Sequence, residues 1–120
     1  MPWSYSEQLL YGLMMSSKLR EFEFYDYKVQ AELPDKDYKP PKPIDGQVPD
    51  IVATLKDETI IVAVETPTSL ADLDSIKTRY LVLANQPGTQ FQVVLPKGEL
   101  GPLQKAAKTW GVKVDQWTEV

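Results

Sequence analysis

From Tyr5 to Arg20 the apolar positions fall three and four apart, with Leu10, Leu13, Met14 and then Ser17 on one stripe. That period predicts an amphipathic helix over 5–20. Ser4 and Glu7 precede the stripe as an S-x-x-E capping pair, each side chain placed to satisfy a free N–H of the first turn. Lys18 and Arg20 lie near the end, where cations suit the helix dipole. The period then drops to two. "EFEFYDYKVQAEL" (21–33) alternates acids with aromatics and continues through Tyr25, Tyr27 and Val29. Alternation with aromatic enrichment predicts a half-buried strand.

The pattern breaks at 34–47, "PDKDYKPPKPIDGQ", where Pro34, Pro40, Pro41, Pro43, Gly46 and three lysines make an extended, solvated loop. Residues 1–33 are too few for a core of their own. The loop therefore lies inside a single domain over 1–120, and long loops of this kind are often functional or mobile. "DIVATL" (50–55) reads as a strand, and "TIIVAV" (59–64) as a central strand covered on both faces. "TSLADLDSIKTRYLVLAN" (68–85) begins with Ser69-x-x-Asp72 and sets Leu70, Leu73, Ile76, Tyr80, Leu81 and Ala84 at helical spacing. After the turn "QPGTQ", "FQVVLP" is another strand. "ELGPLQKAAKTWG" is a helix with Leu103, Ala106, Ala107 and Trp110 inward and Gly111 as a left-handed cap. "VKVDQW" closes as a last strand. The order α-β-β-β-α-β-α-β predicts an α/β fold, a mixed central sheet flanked by helices on both faces.

Composition then narrows the chemistry. The chain has neither cysteine nor histidine. That excludes disulfides, Ser-His-Asp and Cys-His catalysis, and any zinc site built on thiolate or imidazole. Carboxylates, lysines, hydroxyls and an oxygen-liganded ion such as Mg²⁺, Mn²⁺ or Ca²⁺ are what remains. No run approaches the roughly 20 apolar residues of a membrane span, and "MPWSYSEQLLYGLMM" lacks the basic start of a secretory signal. The expectation is a soluble cytoplasmic protein with no membrane partner. The net charge of −4 divides unevenly: residues 1–74 carry 7 basic against 14 acidic side chains, and residues 75–120 carry 6 against 3. The split suits a basic face beside an acidic one, and equally a surface of ordinary solvated charge.

Asp50 and Glu65 carry the sharpest question. If "DIVATL" and "TIIVAV" form a hairpin turning at Asp57-Glu58, opposed positions sum to 115 and Asp50 faces Glu65. Directly opposed residues have Cβ atoms about 4.5–5.5 Å apart on one face, and like charges there are unfavourable unless compensated, for instance by a divalent cation. Asp-Glu lacks the glycine that two-residue hairpins favour, and a slip of one residue would send the carboxylates to opposite faces. The alternative is a turn aspartate after Pro49 and a glutamate welcomed by the start of the next helix.

Pro49-Asp50 in "GQVPDIVA", followed by Glu65 at the end of the strand in "IIVAVET", with this order of elements, resembles the PD-(D/E)xK nuclease superfamily, whose members include restriction endonucleases and Holliday-junction resolvases. The resemblance covers roughly 5–117 as topology and a few residues as motif. It implies a restriction-endonuclease-like core that hydrolyses phosphodiesters in DNA, with Asp50 and Glu65 ligating Mg²⁺ or Mn²⁺. Glu7 or Glu21 would be a helper acid from the first helix, and Thr66 a further ligand through its hydroxyl or carbonyl. The metal would polarise phosphate and activate water. The motif lysine falls on Pro67, which offers neither charge nor donor. Lys77, on the following helix, is the candidate substitute, and it also reads as a lysine reaching out from the edge of an apolar stripe.

Lys36, Lys39 and Lys42 in the loop, with Arg79, Lys105 and Lys108, are candidates for phosphate contacts. Tyr25, Tyr27 and Tyr38 could stack on bases. A homodimer fits duplex cleavage. Against the metal-dependent nuclease stands a catalytically inactive module of the same fold that binds nucleic acid or a protein partner. A third reading is an unrelated α/β fold.

Overall fold

The computed structural model describes residues 4–33 and 36–120; Pro34 and Asp35, the first residues of the proline-rich loop, lie outside the described residues. The elements run α1 (Tyr5–Phe24), β1 (Lys28–Ala31), β2 (Ile51–Leu55), β3 (Glu58–Val64), α2 (Pro67–Leu70), α3 (Leu73–Leu83), β4 (Thr89–Leu95), α4 (Leu100–Trp110) and β5 (Gln116–Glu119). They form an α/β protein around one five-stranded mixed sheet in the order β1-β2-β3-β4-β5. The first three strands are an antiparallel meander, and β3-β4 and β4-β5 are parallel.

Parallel neighbours need crossovers, and a right-handed crossover repeated in one direction across a sheet places its helices on one face. Accordingly α3 and α4 share a face, packed on Ile61, Ala63, Phe91, Val93 and Leu95. The opposite face carries α1, whose Met14, Met15, Leu19 and Phe22 bury against Ile51, Ala53, Ile60, Val62 and Val64. Alternation along β3 thus supplies both cores, as expected for a strand covered on both sides. Because α1 packs chiefly on β1 and β3, the α1 side of β4 and β5 carries Gln90, Gln92 and Gln116 toward one end, while Val94 of β4 joins the α1 core.

The helix expected over 5–20 runs on to Phe24. Phe22 sits three positions beyond Leu19 and is buried, so the helical stripe outlasts the acid–aromatic alternation that reads as a strand. The strand begins only at Lys28, after Asp26 has taken a left-handed conformation (φ 64°). Leu13, expected inward, is 62 % exposed, and Leu73 and Leu81 also lie largely outside the core. The single helix expected after β3 is two. Thr66 and Ser69 close a capping box around α2 with Pro67 in its first turn, where its missing N–H costs nothing. Asp72 then caps α3, accepting from the Ser75 backbone N–H at 3.2 Å. Ser4 caps α1 as expected and Gly111 ends α4 at φ 73°. The proline-rich loop folds back on β1, where the Ala31 N–H donates to the Lys39 carbonyl at 3.0 Å. Among the described residues no helix is long and apolar enough to cross a membrane.

Candidate functional site

The β2–β3 turn falls on Lys56-Asp57, with Leu55 pairing Glu58 and Lys56 held at φ 54°. The hairpin is therefore two residues out of the register predicted from a turn at Asp57-Glu58. A slip of two preserves the face, whereas a slip of one would have reversed it. With Ile51 paired to Val62, Ala63 comes opposite Asp50, and Glu65 lies diagonally two residues on. Diagonal neighbours on one face sit about 7–8 Å apart. Asp50 and Glu65 do share a face, but not as an opposed pair.

Asp50 lies where the β2–β3 ladder ends. Its backbone N–H donates to the Val62 carbonyl at 3.0 Å, and its Oδ2 accepts from the Val64 N–H at 2.7 Å, extending the ladder through a side chain. Oδ1 accepts from the Tyr11 hydroxyl on α1 at 2.7 Å. Glu65, fully buried, accepts from Ser69 Oγ at 2.8 Å on Oε1 and from the Tyr80 hydroxyl at 2.6 Å on Oε2. Between them comes Arg79 from α3. Its Nη2 lies 2.7 Å from Asp50 Oδ2 and also donates to the Val48 carbonyl at 3.1 Å. Its Nη1 lies 3.7 Å from Glu65 Oε2, an ion pair too long for a hydrogen bond.

The titration of the neighbours follows from this packing. Burial and then the Asp50 charge hold the Tyr11 hydroxyl far above its ordinary range. Burial and then the Glu65 charge do the same to Tyr80. Burial alone would lower Arg79, but Asp50 and then Glu65 outweigh it and hold the guanidinium above its usual value. All three groups stay in their donor forms.

Glu7 does not join this centre. Its carboxylate accepts from the Thr68 N–H at 2.7 Å and from the Thr68 hydroxyl, tying α1 to α2. These bonds, the hydroxyl's foremost, hold its pKa below the ordinary value despite desolvation. The Thr66 hydroxyl oxygen accepts from the Ser69 N–H and the hydroxyl also serves Glu7, while its carbonyl accepts from Ser69 Oγ and the Leu70 N–H. Among the described residues no group of three acids gathers as a metal cluster would. The donor set does not fit Mg²⁺ or Mn²⁺ as arranged: each carboxylate oxygen of Asp50 and Glu65 already accepts a donor, and a fixed positive charge lies between the two acids. The pair's mutual repulsion is relieved by guanidinium.

Lys77 is exposed. Two residues along a helix amount to about 200° of rotation, so with Arg79 turned to the acids Lys77 points away from them. The remaining cations are not brought together. Lys36, Lys39 and Lys42 lie in the loop beside β1 at one edge of the sheet, and Lys105 and Lys108 lie on α4 between β4 and β5 at the other. Sequence reasoning placed Arg79 on phosphate and left Tyr11, Ser69 and Tyr80 out of the site. One signal was present: Ile76, Arg79, Tyr80 and Leu83 follow helical spacing, which marks Arg79 as a cation at the border of a buried stripe. Comparison with protein-family models, with curated proteins and with solved structures returns no match, so the nuclease resemblance rests on the residues and topology described above.

Proposed function

We propose that this protein is a catalytically inactive module, similar in form to PD-(D/E)xK nucleases, that works by binding a protein partner. The observation that carries the reading is the Arg79 guanidinium set between Asp50 and Glu65. A hydrolase of that type needs its acids open to a divalent ion and a lysine facing the scissile phosphate; here the acids are occupied, Pro67 opens a helix, and Lys77 is turned away. A charge of −4, with lysines split between two edges of the sheet, favours a protein partner over nucleic acid.

Calorimetric titration of Mn²⁺ into the wild type, beside Glu65→Gln and Arg79→Met, tests the first half. The expected result is no specific Mn²⁺ binding in the wild type. Micromolar binding lost in Glu65→Gln, or Mg²⁺-dependent cleavage of DNA lost in Asp50→Asn, would overturn the proposal. The second reading, a metal-dependent nuclease, draws support from a hollow of about 340 Å³ beside Glu65, lined by Ser69, Ser75, Ile76 and Arg79 among others. It requires Arg79 to leave the acids when substrate arrives.

A further inference from the structure

Helix α1 is apolar on both sides. Met14, Met15, Leu19 and Phe22 form the face buried against the sheet. On the other side Tyr5, Leu9, Leu13 and Phe24 stand 50–79 % exposed. A surface helix normally turns polar residues outward, and one that is apolar all round is covered all round. Steps of three and four residues share a helix face, so Tyr5, Leu9, Leu13, Ser16, Arg20 and Phe24 make one outward stripe. Val48, Leu73, Leu81 and Val120, also exposed, lie apart on other segments. Single surface hydrophobes are ordinary, whereas a contiguous run of them marks a contact.

Gly12 lies beside the stripe in mid-helix, where glycine is weaker than alanine. A Cβ there would meet no neighbouring atom within 4 Å, so nothing inside the molecule calls for glycine. Its use is outside: with Ser16 one turn on, it lowers the helix surface for a second backbone to approach.

The stripe is complementary to itself. Laid antiparallel on its own copy about the midpoint between Met14 and Met15, facing positions sum to 29. Leu13 then meets Ser16 and Leu9 meets Arg20 of the second copy, with Tyr5 and Phe24 closing the two ends. Large meets small near the centre, and Arg20 lays its aliphatic stem along leucine with its head in water. The charges agree as well. Each positive N-terminus of α1 comes beside the other copy's C-terminus, where Glu21 and Glu23 lie and the last turn has no basic residue. Glu7, the acid of the first turn, is turned to Thr68 and does not oppose this. A parallel pair would set like ends together and Arg20 against Arg20. Two aromatic rings and two leucines from each copy cover roughly 1,000 Å² in all, where specific interfaces begin.

We propose that the outward face of α1 is a homodimer interface, docked antiparallel on α1 of a second copy of this chain. The dimer goes beyond the binding-module reading and stands apart from it: a Mn²⁺ site would leave the dimer standing, and a monomer would leave the Mn²⁺ result standing.

The test is sedimentation equilibrium of the full chain from micromolar to submillimolar concentration. A reversible monomer–dimer equilibrium is expected. Leu13→Glu brings two carboxylates together near the two-fold axis and should weaken the dimer about 100-fold. Leu13 is exposed, so circular dichroism should show the fold retained. Leu73→Glu, an exposed leucine on α3, should leave the dimer as it is. The chain has no cysteine, so a mixture of Leu9→Cys and Arg20→Cys proteins reads the orientation. Oxidation should link unlike copies, while either variant alone stays unlinked, its two thiols lying about 16 Å apart along the helix axis. A wild type that is monomeric throughout, or a dimer untouched by Leu13→Glu, overturns the proposal. Disulfide linkage of Leu9→Cys alone overturns the antiparallel register. A monomer that binds phosphatidylserine vesicles, and loses them in Leu13→Glu, overturns the second copy in favour of a lipid surface.

Discussion

The two ends of the sheet solve the problem of buried polar groups in opposite ways. At the C-terminal end of β3, two carboxylates, a guanidinium, two phenols and a serine hydroxyl form a closed set, each acid held by several donors. At the other end, Gln92 Oε1 has no partner, and Lys18 Nζ, though 2.9 Å from a Glu21 oxygen, meets it at an angle outside hydrogen bonding. By sequence the acidic end is the one that resembles a site. In three dimensions its donors and acceptors are matched, whereas the glutamine end buries an acceptor that has no partner. A titratable cluster therefore indicates function only when something in it is left unspent.

Breaking the closed end has the largest expected effect. Arg79→Met leaves Asp50 and Glu65 on one face with no positive charge between them. Removal of one partner from a buried ion pair costs 3–5 kcal/mol in general; since Arg79 is 22 % exposed, about 3 kcal/mol is expected, read as a lower midpoint in urea with unchanged slope. A smaller loss would mean that water reaches the acids. Tyr80→Phe removes the hydroxyl donor to Oε2 of the fully buried Glu65 carboxylate and should cost about 2 kcal/mol by the same measurement.

The glutamine end should respond with the opposite sign. Gln92→Leu replaces an unsatisfied amide with an apolar side chain of similar volume, and a gain of about 1 kcal/mol is expected. Destabilisation would show that Gln92 is bonded in solution and would erase the contrast between the two ends.

The smallest effect concerns pH. Because Glu7 titrates below its ordinary value when folded, its bonds to Thr68 stabilise fully above that ordinary value. The contribution fades as pH falls through the lowered folded pKa. In Thr68→Val this acid-side loss should flatten relative to the wild type in a series of urea midpoints from neutral pH downward. Parallel curves would show that the α1–α2 tie does not hold in solution.

The sheet was legible because its signals are local. "TIIVAV" and "FQVVLP" could be little but buried strands, and the parallel steps followed from intervening helices. The turn was not legible, because Lys56 takes a positive φ without being glycine. The error of two residues survived because the period of a strand is two. In the site, the acids announced themselves but their partners did not. Tyr11, Ser69 and Tyr80 come from three helices, and only the packing of those helices brings them to Asp50 and Glu65. Arg79 reads the same on paper whether it meets phosphate or carboxylate.

The fold-back of the proline-rich loop carries a consequence for how the protein behaves in a crowd. β1 is a border strand, and a border strand offers unpaired amides to any passing chain. Here Lys39 takes up the Ala31 amide, and the residues that follow include Pro40, Pro41 and Pro43, which have no N–H to give. The segment works as a selvedge, finishing the sheet with chain to which nothing further can be knitted. Cutting it short should leave the fold standing and the protein prone to stick to its own copies, in proportion to its concentration.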